Sequence, residues 1–320
     1  MGSVAVLVGW IWFTRPKTPR SEDFVALFGR HFLTAAPAQL AGLQRSQYAY
    51  LPMRAPYPVL EPCVRLSLQP GSCALAVMAK APQAGAVKTR LVPPLDAEEA
   101  AMLNICFLQD VTGCIATLTS GSVHGYVAYT PAGHESAFDG LLPTGFGLLP
   151  QRGAHLGERL LHVTEDFLAA GYEAVCLINS DSPTLPSALL RQARDALTLA
   201  GDHLVLGRAI DGGYYLIGLK KAHRRLFEDI TWSSSAVFHQ TLERAAELGL
   251  DVQLLPAWYD VDDLESLRWL CDELFARNGR HSPRDLVAYD APSTRNYLRS
   301  LVEKAGSRRL GLKLPAAGAP

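Results

Sequence analysis

Three cations fall within eleven residues of the stretch VMAKAPQAGAVKTRL: Lys80, Lys88 and Arg90. Ala81, Ala84, Gly85 and Ala86 between them let the backbone come close to a ligand. Cations spaced along such a loop can meet the oxygens of an oligophosphate, with Thr89 beside them as a hydroxyl donor. The alternative is a solvated basic loop. Neither common phosphate-loop pattern fits. Val87, where a Walker loop needs glycine, precedes Lys88-Thr89, and no Gly-x-Gly-x-x-Gly run follows a strand.

Carboxylates gather in three other segments. In LINSDSPTLP an apolar run ends at Asp181. A short carboxylate there suits a hard divalent cation such as Mg²⁺ or Mn²⁺, which takes oxygen ligands and completes its shell with water and substrate phosphate. The competing reading is a turn aspartate capping the next helix, a task Ser182 or Ser187 could also perform. In GRAIDGGYYLIGL, Asp211-Gly212-Gly213 reads as a hairpin turn. The same residues suit a turn facing a ligand, with Gly212 and Gly213 admitting a sugar or base and Asp211 accepting from hydroxyls. In WYDVDDLESL, Asp260, Asp262 and Asp263 precede a helix, where acids are commonly stabilising. Asp260 and Asp262 would also bring a second source of metal-binding oxygen to the rim that holds Asp181. Arg152 and Arg159 flank another helix start, and Arg159 reads as ordinary helix surface. Trp232, Tyr214, Tyr215 and Trp258 either line an acceptor side or, as is commoner near strand ends, belong to the core.

The elements that must position these residues alternate. Apolar runs ALAVMA, VHGYVAYT, EAVCLIN, HLVLGRA, GYYLIGL and LDVQLLPA read as strands. Between and after them lie five helical stretches: residues 96–118, HLGERLLHVTEDFLAAG, PSALLRQARDALTLAG, SSSAVFHQTLERAAELG and DDLESLRWLCDELFAR. Asp96 is the expected cap of the first, with Glu98 and Glu99 in its opening turn. Strand and helix in alternation predict an α/β sandwich around a mostly parallel sheet, whose ligands bind at the carboxyl ends of the strands. Each cluster above falls at such an end. Residues 1–72 read as a mostly irregular extension with one short helix at Ser21 to Phe32, residues 73–280 as the domain, and 281–320 as a tail.

Composition narrows the function classes. With 30 basic and 31 acidic residues the formal charge is −1, so no global field draws the chain to nucleic acid or anionic lipid. The six cysteines lie scattered without zinc spacing, as expected of a reducing cytoplasm. The apolar run from Val4 to Phe13 is about half of the ~20 residues a spanning helix needs, and it lacks the marks of a secretory signal. A disordered leader or a misassigned start codon is expected there, with no stable membrane insertion.

Taken in order, MAKAPQAGAVKTRL, AEEAAML, QRGAHLGERL, NSDSPTLP, GRAIDGGYYLIGL, WSSSAVFHQTL and YDVDDLESL resemble a bacterial family of nucleotide-diphospho-sugar transferase-like proteins. That family is also described as DUF2064 or as the arsenosugar-biosynthesis glycosyltransferases. The resemblance spans about Leu75 to Leu270. It implies a glycosyltransferase-A (GT-A) fold, related to molybdenum-cofactor and phospholactate guanylyltransferases, whose KTRL segment looks alike. Carried over, Lys88 and Arg90 would hold the donor's phosphates, Asp181 would be the metal aspartate, Asp211 would lie near the transferred group, and Asp260 or Asp262 would be the second metal contact. The family's last motif runs D-V-D-T-P-E-D-L; here Asp263, Leu264 and Ser266 replace T, P and D, which alters the helix start.

The expected function is therefore metal-dependent glycosyl transfer from a nucleotide-sugar donor to a small-molecule acceptor, with Mg²⁺ or Mn²⁺ as cofactor. Asp181 and Asp211 are the expected catalytic residues. Lys80, Lys88, Thr89, Arg90, Gly212 and Gly213 are the expected substrate contacts, and Asp181, Asp260 and Asp262 the expected metal ligands. Nucleotidyl transfer to a phosphorylated acceptor, or a non-catalytic nucleotide or sugar sensor, are the alternatives.

Overall fold

The computed structural model describes residues 57–276 and 286–305. The expected helix at Ser21 to Phe32 and the run from Val4 to Phe13 lie outside them. Seven strands form one sheet: β1 (Cys73–Lys80), β2 (Val123–Thr130), β3 (Gly147–Pro150), β4 (Ala174–Asn179), β5 (His203–Ala209), β6 (Tyr214–Leu219) and β7 (Asp251–Trp258). Their order is β3-β2-β1-β4-β6-β5-β7. Only β6 runs against its neighbours; β2, β1 and β4 are parallel, as are β5 and β7. The sheet is mostly parallel, as the alternation predicts.

Alternate side chains along the central strands feed two layers. Leu75 and Val77 of β1 and Ile178 of β4 face α1 (Ala97–Ala116), α3 (Ser187–Thr198), α5 (Leu264–Cys271) and α6 (Pro292–Ala305), represented by Phe107, Leu189, Leu267 and Leu298. Ala74 and Ala76 of β1 and Leu177 of β4 face α2 (Leu156–Ala169) and α4 (Val237–Glu247), represented by Phe167 and Phe238. All of these side chains are buried, and each large one stabilises the fold by about 1.5–3 kcal/mol relative to exposure. Among the described residues no helix is long and apolar enough to cross a membrane.

Several expected boundaries shift. The irregular extension was expected to end at 72, yet Val59 bridges to Leu148 and the Leu60 amide donates to the Leu148 carbonyl, so this stretch covers the edge strand β3. That strand is itself unanticipated, being only four residues long. The helix expected from SSSAVFHQTL begins at Val237, leaving Ser233, Ser234 and Ser235 in a loop. The expected tail from 281 contains α6, whose Leu298 and Leu301 are buried. Residues 306–320, read as a solvated end, lie outside the described residues.

A single acid fixes α6. Asp110 of α1, 1 % exposed, accepts from the Ser293 amide at 3.0 Å and the Thr294 amide at 2.7 Å. It supplies the N-terminal capping oxygens that the helix's own sequence does not, at a separation of 183 residues. Asp110→Ala leaves one buried and one half-buried donor unpaired. The expected result is a loss of about 2–4 kcal/mol in denaturant unfolding. A loss below about 0.5 kcal/mol would show that α6 docks without this cap.

Candidate active site

The loop after β1 turns one of its three cations inward. Val87 and Leu91 are buried and anchor the loop. Lys88 between them takes a left-handed backbone, φ 49°, at the start of a 3₁₀ turn (Thr89–Leu91). Its side chain is only 4 % exposed. The ammonium lies 2.6 Å from Asp181 Oδ1 and 3.0 Å from Asp262 Oδ1, donates to the Val261 carbonyl at 2.6 Å, and sits 5.2 Å from the centre of the Phe107 ring. Burial disfavours the charged form, but the Asp181 and Asp262 carboxylates outweigh it and hold the pKa above its ordinary value. The expectation that Lys88 offers its charge to a phosphate needs correction for this arrangement: the ammonium is spent on carboxylates. Lys80, Thr89 and Arg90 are exposed and remain available.

Asp181 and the acids after β7 come together although β6 and β5 separate their strands in the sheet. The chain leaving β7 folds back over the strand ends: the Val261 amide donates to the Asp181 carbonyl at 2.9 Å, Ser182 Oγ donates to the Tyr259 carbonyl at 2.9 Å, and Thr184 pairs with the Tyr259 hydroxyl at 3.0 Å. Ser182 is therefore a tie, and α3 begins after Pro186 with no side-chain cap. Asp263 caps α5 in a reciprocal box with Ser266, which explains how the altered helix start is accommodated. Asp262 is left free of capping duty.

The Asp211 turn is the hairpin its sequence suggests, and it borders a cavity. It joins the antiparallel pair β5 and β6, and the Asp211 carboxylate shapes it by accepting from the Gly213 amide at 2.8 Å. It also lines the site. Gly212 has φ +97°, and a Cβ there would lie 2.4 Å from the Ser235 carbonyl oxygen. This close approach, with the Phe238 amide donating to the Gly212 carbonyl at 2.9 Å, presses the serine loop against the turn.

One cavity of about 620 Å³ unites these parts. Lys80, Lys88, Thr89, Arg90, Asp181, Asp211, Gly213, Asp260 and Asp262 all line it; Gly212 does not, and acts from behind as the seat of Ser235. Trp232 and Tyr214 reach the cavity, whereas Tyr215 and Trp258 are wholly buried in the core. Arg159, expected as helix surface, also lines it, while Arg152 pairs with Asp166 at 2.7 Å elsewhere. The sequence reading missed Asn104, Gln151, Asn179 and the serine loop. Gln151 could have been suspected, since it directly follows the apolar GLLP run, much as Asp181 comes two residues after the LIN that ends β4.

Carboxylate crowding sets the electrostatics. Burial, then the charges of Asp211, Asp262 and Asp181, push the Asp260 carboxyl up from its ordinary value to about 7. The folded group keeps its proton up to about pH 7 while the unfolded group loses it near 4, so its contribution to stability falls between those values and stays lost above them. Asp260→Asn should raise the unfolding midpoint by ~4–8 °C at pH 8 with chelator present, corresponding to about 2 kcal/mol, and change nothing below pH 4. An unchanged midpoint at pH 8 would mean the crowding is not felt.

A divalent cation fits this donor set. The oxygens are hard, and burial together with the neighbouring carboxylates raises the Asp260 pKa, a penalty on the anion that a cation would relieve. Among the described residues no three His, Cys, Asp or Glu side chains converge as a ready-made cage. None is needed by an ion that keeps water and substrate oxygens in its shell.

Comparison with known proteins places this geometry. The model of the DUF2064 family, described as an uncharacterized protein conserved in bacteria, matches residues 114–234. A crystal structure from Desulfovibrio desulfuricans G20, provisionally named a nucleotide-diphospho-sugar transferase, is 31 % identical, covers 74 % of this chain and 97 % of its own, and superposes with a TM-score of 0.62. The chain belongs to the DUF2064 family of nucleotide-diphospho-sugar transferase-like proteins. More remote from this DUF2064 protein are a cytidylyltransferase from Leptospira borgpetersenii serovar Hardjo-bovis and a glucosyl-3-phosphoglycerate synthase from Mycobacterium tuberculosis. The first is 11 % identical with a TM-score of 0.41, covering 76 % of this chain and 99 % of its own. The second, solved with Mn²⁺, UDP and phosphoglyceric acid, is 14 % identical with a TM-score of 0.37, covering 82 % and 88 %. Neither carries an argument about activity. No curated protein matches the chain.

Proposed function

We propose that this protein is a divalent-cation-dependent transferase that moves a glycosyl group from a nucleotide-sugar donor to a hydroxyl of a small acceptor. The observation that carries the reading is one cavity lined by exposed cations from the β1 loop and carboxylates from β4 and from the segment after β7. Lys80, Thr89 and Arg90 bind the donor's diphosphate oxygens. Asp181 with Asp260 or Asp262 would hold Mg²⁺ or Mn²⁺, which when bound supplies neutralising charge for a leaving diphosphate. Lys88 keeps Asp181 and Asp262 at a fixed separation and cancels part of their repulsion.

In the transfer, the acceptor oxygen forms a bond to the anomeric carbon as the bond from that carbon to the diphosphate oxygen breaks. The electron pair leaves with the nucleoside diphosphate, and the hydroxyl proton passes to the Asp211 carboxylate. Lys80 and Arg90 act mainly on the departing charge, which is larger in the transition state than in the bound donor. The test is a thermal-shift panel of nucleoside diphosphates and nucleotide-sugars with Mg²⁺ or Mn²⁺, followed by assay of nucleoside diphosphate release. A ligand that binds only the folded form raises the midpoint. Release of pyrophosphate from a nucleoside triphosphate instead would replace glycosyl with nucleotidyl transfer, and binding of every donor without turnover would replace both with a sensor.

A further inference from the structure

A second cavity, of about 520 Å³, adjoins the first, and Trp232 is the residue that lines both. Its indole is seated at the start of α2, where Gly157 leaves room: a Cβ on that glycine would lie 2.7 Å from the ring. The rest of the wall mixes hydrogen-bond donors and acceptors, among them His155, Glu158, Arg224 and Asp229. Their charges are largely answered within the protein. Glu158 accepts from the Ala154 amide at 2.7 Å and lies 3.7 Å from the His155 ring, while Asp229 is 2.5 Å from Arg225, which also binds Glu247.

We propose that this cavity is the acceptor subsite and that it takes a neutral, polyhydroxylated molecule of monosaccharide size. The claim rests on the transferase reading above and extends it to the acceptor's chemical class. An indole face accepts the C–H side of a sugar ring, and flanking carboxylates and a guanidinium accept from and donate to its hydroxyls. An anionic acceptor fits worse: the wall offers it one guanidinium, Arg224, and the carboxylates of Glu158, Glu228 and Asp229, paired as they are, leave no surplus of positive charge to hold it. Position supports the role. Trp232 opens the loop that continues through Ser233, Ser234 and Ser235, and that loop lies against the Asp211 turn, so an acceptor seated on the indole presents a hydroxyl towards the donor cavity.

The experiment measures two bindings on the full chain. Saturation-transfer NMR with glucose and myo-inositol, against inorganic phosphate and acetate, reads the acceptor subsite, and calorimetry with UDP and GDP in Mn²⁺ reads the donor cavity. Glucose or inositol should give a signal that falls at least about tenfold in affinity in Trp232→Ala and survives in Trp232→Phe. Phosphate and acetate should give none. Arg224→Ala, at an exposed side chain, should weaken polyol binding with the fold intact and carries the test if Trp232→Ala does not fold. A polyol signal that is absent, or equal in wild type, Trp232→Ala and Arg224→Ala, overturns the proposal, as does Arg224-dependent binding of the anions alone. Nucleotide binding without polyol binding sinks this inference only; failure of both nucleotides to bind sinks the donor reading on its own.

Discussion

Asp181→Asn is expected to abolish nucleoside diphosphate release, with a loss of at least about 10³ in turnover, and also to weaken the fold. The first effect follows from its place in the donor cavity. The second follows from Lys88, whose ammonium is 2.6 Å from Asp181 in a side chain only 4 % exposed. Losing the nearer partner leaves that charge with Asp262 alone, at 3.0 Å and on a side chain 43 % exposed. A cost of about 2–3 kcal/mol follows, below the 3–5 kcal/mol of a fully buried broken pair because both acids are partly solvated. The double variant Asp181→Asn with Lys88→Met removes the orphaned charge and should recover most of the stability and none of the activity. Additive losses in that cycle would mean that the two groups do not interact as the geometry requires.

The second large effect concerns ligand binding alone. Lys80→Ala together with Arg90→Ala removes two exposed cations from the cavity without touching the core. If each makes a charge-assisted bond to a diphosphate oxygen, nucleoside diphosphate affinity should fall about 10²- to 10³-fold, and its dependence on salt should flatten. Thermal unfolding without ligand should stay within about 0.5 kcal/mol of wild type. Unchanged affinity in calorimetry would move the phosphate site away from the β1 loop.

How far such effects could be foreseen from sequence depends on the range of the contacts involved. The apolar runs of β1 and β4 and the Asp96 cap with Glu99 are local signals, and they are realised as written. So is the assembly of cationic and acidic segments at one rim, because a mostly parallel sheet puts the carboxyl ends of its strands together. Three features depended on contacts that no local pattern encodes. Three cations in one loop do not reveal which turns inward; the left-handed backbone at Lys88 and the carbonyl of Val261, 173 residues away, decide it. The docking of α6 is written in Asp110, which from its own helix reads merely as part of a periodic face. The role of Gly212 was visible only in half: a turn glycine is obvious, but the backbone it makes room for belongs to Ser235.

The partition between the two cavities has a practical corollary. Trp232, which borders both, rests on Gly157, and the serine loop that follows it rests on Gly212, two positions where an added Cβ would lie 2.7 Å and 2.4 Å from a neighbour. Variants made to probe the proposed acceptor subsite should therefore leave both alone and diversify position 232 itself, where the ring can be trimmed or exchanged while its supports stay put. Libraries randomised at the glycines would sample displaced loops rather than new specificities.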